Sequence, residues 1–201
     1  MIKHNQFFAI KILFVCIGSF ILQAFSSDFT ALFLLDQSRV LFEPWRLLTA
    51  IFLHGNIAHL FLNMFVLAVF GSLLENILGS KKFLLVYFSA GIFASIVAAV
   101  FYPFSLGASG AIMGILGCLT FLRPNMVVFL WFVPMKMWVA CIVWILIDLF
   151  GLAGPQVASA AHLGGIFVGL VLGYFLKKTY GEQKDPYLAE AELLSSEYMY
   201  K

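Results

Sequence analysis

Lysine, arginine, aspartate and glutamate are absent from residues 83–122, and no other feature of the chain narrows its folds so far. A helix crosses about 30 Å of hydrocarbon with roughly 20 apolar residues, so this run is two spans long. It breaks at Tyr102-Pro103-Phe104-Ser105-Leu106-Gly107, a proline and glycine turn. Charge-poor segments elsewhere extend the count, giving spans at about 7–25, 57–78, 83–102, 107–122, 137–151 and 158–176. The expectation is an all-α membrane protein built as a six-transmembrane-helix bundle over 1–178, with a polar tail over 179–201. Composition agrees: hydrophobic residues make up 63% and charged residues 11%, where soluble domains have roughly 45–50% and about 25%. That excludes a soluble globular core. The same apolar content excludes a disordered chain. A net charge of +2 leaves no electrostatic footprint for nucleic acid. Cys16, Cys118 and Cys141 stand singly in apolar runs, so they suggest neither a disulfide framework nor a metal knuckle.

Basic residues orient the bundle, because cytoplasmic loops retain lysine and arginine. With six alternating helices, Lys3, Lys11, Lys81, Lys82, Arg123, Lys136, Lys177, Lys178, Lys184 and Lys201 gather on one side and Arg39 and Arg46 on the other. Both termini are therefore expected in the cytoplasm, in a membrane of the bacterial plasma-membrane type. The apolar segment between Arg123 and Lys136, flanked by Pro124 and Pro134, is expected to be an interfacial loop. The first 26 residues have a basic start and an Ala24-Phe25-Ser26 end, as a secretory signal does. Lys11 within the apolar stretch favours a retained first helix. In the tail, Asp185-Pro186 is a helix-start signal and no chemistry is expected.

Polar groups inside spans are costly and point to function. His54, His59, Asn63, Glu75, Ser109, Asp148 and His162 make up this set. His59 and Asn63 share one face of the second span, being four apart, one to two turns from its outer end, where a polar interhelical clasp would place them. His54 lies off that face and is expected to shape the loop entering the helix. Glu75, near the inner end, is expected to cap or to pair with Lys81 or Lys82. Ser109 opens the fourth span within Gly107-Ala108-Ser109-Gly110, followed by Gly114 and Gly117. It is either one more small packing residue or a nucleophile among the unpaired N–H groups of a helix start, where an oxyanion is stabilised. His162 supplies a base. At 100° per residue Gly165 and Gly169 fall within about 60° and 20° of it, so the histidine rides on a glycine stripe that must touch another helix closely. The Gly110 and Gly114 stripe of the fourth span is the natural partner, and that contact brings His162 Nε2 within hydrogen-bond reach of Ser109 Oγ.

From about residue 40 to 177 the chain closely resembles the rhomboid intramembrane serine proteases. The resemblance is carried by Trp45-Arg46, by His54, His59 and Asn63, by Glu75, by Gly107-Ala108-Ser109-Gly110, and by Ala161-His162 with Gly165 and Gly169. It implies hydrolysis of peptide bonds in or near transmembrane segments of membrane-protein substrates, by a dyad with Ser109 as nucleophile and His162 as base. It also implies an oxyanion hole of His59, Asn63 and the Ser109 N–H, and a structural first loop around Trp45 and Arg46 with Glu43 as a partner for the arginine. Gly107, Gly110, His54 and Met113 support the site. Neither metal nor organic cofactor is implied, and the bilayer and transmembrane substrates are the expected partners.

The chain departs from the family pattern at Met113, four residues after Ser109, where many members carry an aromatic that stacks on the histidine. Asp148 is level in depth with His162. A serine-histidine-aspartate triad is thus open, although an aspartate there is better expected to bond the adjacent loop. The same residues speak against other classes. A non-catalytic relative would lack the serine or the histidine. A haem held by His59 and His162 needs a flat cavity where glycine stripes bring helices together, and a zinc protease needs an H-E-x-x-H motif that the chain does not contain.

Overall fold

The computed structural model describes residues 7–180 apart from 131, 153, 155 and 156. In chain order the elements are α1 (Phe8–Phe25), α2 (Ser27–Phe33), β1 (Leu35–Asp36), α3 (Arg46–Thr49) with a tight turn over Ala50–Phe52, and α4 (Ile57–Val66). A widened turn over Leu67–Gly71 joins α4 to α5 (Ser72–Leu78). The chain continues through α6 (Ser80–Phe101), β2 (Phe104–Ser105), α7 (Ser109–Leu122), β3 (Val127–Leu130), β4 (Val133–Lys136), α8 (Met137–Leu149) and α9 (Ser159–Tyr180). Four helices are long and apolar enough to cross a membrane: Phe8–Phe25, Ile57–Leu78, Ser80–Phe101 and Ser159–Lys178. Ser109–Leu122 and Met137–Leu149 are apolar but shorter. Helix α9 runs into the first residues of the expected tail. The remainder of that tail, with Asp185 and Pro186, lies outside the described residues, as do Lys3, Lys184 and Lys201.

The outward faces are apolar. Phe61, Leu62 and Phe65 on α4, Phe14 and Leu22 on α1, and Phe167 and Phe175 on α9 are all exposed, a surface that water would not tolerate at this extent. Helices satisfy their own backbone groups, so such a surface suits hydrocarbon. The chain is an integral membrane protein.

The inner layer is made of α6, α7 and α9, which meet on small residues. A Cβ at Gly165 would fall on the Gly110 carbonyl oxygen, and one at Gly169 on the Gly114 carbonyl oxygen. On the other side of α7, Cβ atoms at Gly110 and Gly114 would meet Ala94 and Ala90 of α6. These backbones are therefore at contact distance, which fixes the position of α9 along α7 to within a fraction of a turn.

Two polar clamps define the ends of the bundle. At one end Glu75 accepts from the amides of Phe8 (3.0 Å) and Ala9 (2.9 Å), and from Ser80 Oγ at 2.6 Å. It caps the free N–H groups opening α1, a different helix from its own. At the other end Gln23 on α1 holds the backbone of His54, accepting from its N–H at 3.0 Å and donating to its carbonyl at 3.2 Å. β1 pairs antiparallel with β2 at this end, Leu35 opposite Ser105.

The segment after α7, expected as an interfacial loop, has regular structure of its own. Val127–Leu130 and Val133–Lys136 form an antiparallel hairpin, with Val127 opposite Lys136 and Leu130 opposite Val133. Val128 and Leu130 are buried while Val127 and Phe129 are exposed, a period-two pattern read too readily as uniform apolarity. Only two residues lie between the strands, and Phe132 takes φ 67, as tight hairpin turns require.

Candidate active site

Ser109 is the first residue of α7. Its N–H is among those that a helix leaves without an intrahelical partner. The approach to it depends on Gly107, whose φ of +132 is closed to other residues. A Cβ at Gly107 would lie 2.9 Å from His59 Nε2 and 3.8 Å from Ser109 Oγ, so the bare backbone lets the His59 ring edge and the serine hydroxyl converge on one spot.

His162 lies in the first turn of α9 and is buried. Its Nε2 is 2.8 Å from Ser109 Oγ. Its Nδ1 is 3.1 Å from Asp148 Oδ1, in the last turn of α8. Asp148 was expected to bond the loop that follows it, but its carboxyl turns inward to the histidine and is itself buried. Depth arithmetic made that contact conceivable. The direction of the side chain about its helix decided it, and the sequence alone carries no signal for that direction. Both ring nitrogens of His162 are thus engaged. Among the described residues no group of three or more histidine, cysteine or acidic side chains is arranged to hold a metal ion.

His59 and Asn63 stand on successive turns of α4. Asn56 caps that helix by accepting from the His59 N–H at 2.8 Å. His59 Nδ1 accepts from the Gly55 N–H at 3.5 Å, a long bond that leaves the hydrogen on Nε2, the nitrogen beside Gly107. Asn63 donates one amide hydrogen to the His59 carbonyl at 2.8 Å and keeps a second. Behind them His54 is buried and meets the His59 ring edge-on, centroids 5.2 Å apart. Burial first, and the neighbouring His59 second, push the His54 imidazole down to about 4, against an opposing Phe52 carbonyl. His54 thus braces His59 as a neutral ring. Met113 is half-buried one turn below Ser109 on α7.

Arg46, the first residue of α3, is fully buried. Its guanidinium pairs with Glu43 and donates to the carbonyls of Ala31 at 2.7 Å and Leu34 at 2.8 Å. It therefore ties α2 to α3, while Trp45 is about half exposed at 49%. Thr49 adds a bond to the Phe33 carbonyl at 2.8 Å. A buried charge that binds main-chain carbonyls organises a loop and touches no reacting atom.

Comparison with known proteins covers the stretch that carries these residues. The Rhomboid domain family model matches residues 41–179. Rhomboid protease GluP of Bacillus subtilis is 44% identical over 130 residues, covering 63% of this chain and 25% of that protein. RHOMBOID-like protein 6, mitochondrial, of Arabidopsis thaliana is 37% identical over 140 residues, covering 67% of this chain and 44% of that protein. The putative rhomboid protease YdcA of Bacillus subtilis is 42% identical over 83 residues, covering 40% and 42%. The chain spans between a quarter and a half of the length of these relatives.

Proposed function

The chain belongs to the rhomboid family, and on that premise we propose that it is an intramembrane serine endopeptidase using Ser109 and His162. The observation that carries this reading is the 2.8 Å approach of His162 Nε2 to Ser109 Oγ at the start of α7. Relatives named as proteases support it.

In this mechanism His162 Nε2 takes the hydroxyl proton of Ser109 as Oγ attacks the carbonyl carbon of the scissile bond. The carbonyl oxygen becomes an oxyanion that the Ser109 N–H, His59 Nε2–H and the free Asn63 amide hydrogen receive. Each such donor is worth about 2.7–4 kcal/mol in a soluble protease. His162 then protonates the leaving amine, the C–N bond breaks, and the acyl group stays on Ser109. Water, activated by the same nitrogen, cleaves that ester and regenerates the hydroxyl. Substrates are transmembrane proteins cut at or near the outer ends of their helices, at a small residue beside helix-breaking ones, because a peptide bond within a helix must first be freed from its hydrogen bonds.

The proposed architecture has six spans, with α7 and α8 as the two short ones, both termini cytoplasmic in a bacterial-type plasma membrane, and the site towards the outer face. The test is incubation of the purified protein with a library of single-span substrates. Ser109→Ala and His162→Ala should each abolish cleavage while remaining folded. Full activity in either removes the dyad.

A further inference from the structure

We propose that the β3–β4 hairpin is a lipid anchor: its outward face dips into the acyl boundary of the leaflet at the Glu75 end of the bundle, and Lys136 and Arg123 at its base hold the phosphates of anionic phospholipids. The inference stands apart from the reading of the Ser109 site.

The two faces of the hairpin follow from its register, because residues opposite one another in an antiparallel pair share a face. Val128 and Met135 are opposite each other and pack on the core. Val127 with Lys136, and Phe129 with Pro134, make up the other face, and all four are exposed. Phe129 is 72% exposed and Phe132, at the tip, 96%. Among the described residues no other element covers this surface.

Its depth is bounded from both sides. The sheet has two strands, so their outer edges carry N–H and C=O groups without strand partners, and hydrocarbon does not admit such edges. Bulk water suits the bare aromatic face no better. What remains is the boundary between headgroups and acyl chains, where water reaches the edges and hydrocarbon takes the rings. Helix register gives the same level. A Cβ at Gly173 would lie 2.8 Å from the Cys118 carbonyl oxygen, and the rings of Phe121 and Tyr174 meet with centroids 6.0 Å apart. One turn further on, Leu122 and Arg123 are therefore level with Lys177 and Lys178, where the apolar run of α9 stops. The Met137 N–H donates to the Met126 carbonyl at 2.8 Å and closes the base of the hairpin. Trp138 follows, about half exposed, an aromatic of the kind that gathers at membrane interfaces.

Charge selects the lipid. Of the acidic residues described, Asp28, Asp36, Glu43 and Asp148 belong to the other end, and Glu75 is occupied by the amides of Phe8 and Ala9. Lys136 is exposed and makes no ion pair among the described residues. Arg123 gives one N–H to the Leu122 carbonyl at 3.2 Å and keeps its others. An apolar face with unanswered cations at its base matches a surface of acyl chains topped by phosphates.

The experiment uses the full chain reconstituted in vesicles, with a bimane probe on Phe129→Cys. The reference probe is on Phe65→Cys, within the span Ile57–Leu78 and 59% exposed. Cys16, Cys118 and Cys141 are buried and leave the background low. Quenchers are aqueous iodide, and phosphatidylcholine or phosphatidylglycerol carrying a nitroxide high on an acyl chain. At Phe129 we expect quenching by the nitroxide lipids and little by iodide. Phosphatidylglycerol should be preferred there over phosphatidylcholine by at least about fivefold at low salt, and concentrated salt should shrink the preference. Lys136→Gln should lower it by about fivefold, the share of one cation near an anionic surface. At Phe65 the two lipids should quench alike. Iodide quenching without lipid quenching would put the hairpin in water and overturn the proposal. Shielding from both quenchers would overturn it too, since protein would then cover the face, either the acidic stretch after Tyr180 or a second copy of the chain. A preference at Phe129 no greater than at Phe65 would remove the anionic site. Should Phe129→Cys fail to fold, Val127→Cys carries the probe on the same face and is judged by the same outcomes.

Discussion

His54 illustrates how a single buried side chain ties stability to pH. Burial holds its imidazole neutral, pushed from 6.5 down to about 4, so an unfolded chain takes up this proton before the folded one does. Stability therefore falls as pH drops from 6.5 towards 4 and levels off below, where both states are protonated. The span of that shift corresponds to about 3 kcal/mol at most. In His54→Phe, which keeps a ring against His59, the thermal midpoint should lose this part of its acid sensitivity. An equally steep decline between pH 6.5 and 4 in the variant would show that other groups set it. From the residues alone His54 was legible as a shaper of the loop before the helix, and the family resemblance made it a supporting residue of the site. Its edge contact with His59 depends on the fold of residues 54–56, which no periodicity describes. The turn of Asp148 towards His162 escaped for a related reason, since depth along a helix is readable from sequence whereas rotation about its axis is not.

Helix pairing was readable because it rests on atoms that are missing. Gly165 and Gly169 on α9, and Gly110 and Gly114 on α7, leave backbone against backbone, and stripes of this kind can be counted in a sequence without knowing the fold. The approach of His162 to Ser109 follows from that contact, because His162 rides on its stripe and Ser109 immediately precedes Gly110, each near the start of its helix. The hairpin β3–β4 was not readable in the same way, as a short apolar run serves strand, loop and buried helix alike. The glycine contact also predicts how activity depends on packing. In Gly165→Ala the new methyl falls on the Gly110 carbonyl, neither backbone can yield locally, and α9 must move away from α7. A displacement of this sort carries His162 from Ser109, and misplacing a reacting group by about 1 Å costs about 10²-fold in rate. Gly165→Ala should therefore lower kcat by one to two orders of magnitude, on a rough scale set by that misplacement, together with a lower thermal midpoint. Gly18→Ala is the control, because nothing lies within 4 Å of its Cβ; it should leave both unchanged or gain slightly in stability. Equal behaviour of the two variants would mean that the helices meet elsewhere than on the stripe.

At the scale of the whole molecule the two clamped ends differ in charge. The Glu75 end gathers the starts of α1, α6 and α8 and the ends of α5, α7 and α9, and with them Lys81, Lys82, Arg123, Lys136, Lys177 and Lys178. The Gln23–His54 end carries the candidate site, Arg39 and Arg46. Arg46 is buried against Glu43 and two carbonyls, and Arg39 pairs with Asp36 at 3.4 Å, so both positive charges at this end are locally answered. On the proposed orientation, with lysine and arginine retained on the cytoplasmic side, the site end faces outward, where water would reach Ser109 without crossing the bilayer. This orientation can be read directly in cells. Cys16, Cys118 and Cys141 are all buried, so an impermeant maleimide should leave the unmodified chain unlabelled and a single introduced cysteine will report its own side. Gln37 and Lys81 are both exposed, on opposite ends. Gln37→Cys should label in intact cells, whereas Lys81→Cys should label only after the membrane is opened. The reverse pattern would place the site on the cytoplasmic side, and substrates would then have to be sought among helices whose inner ends are cut.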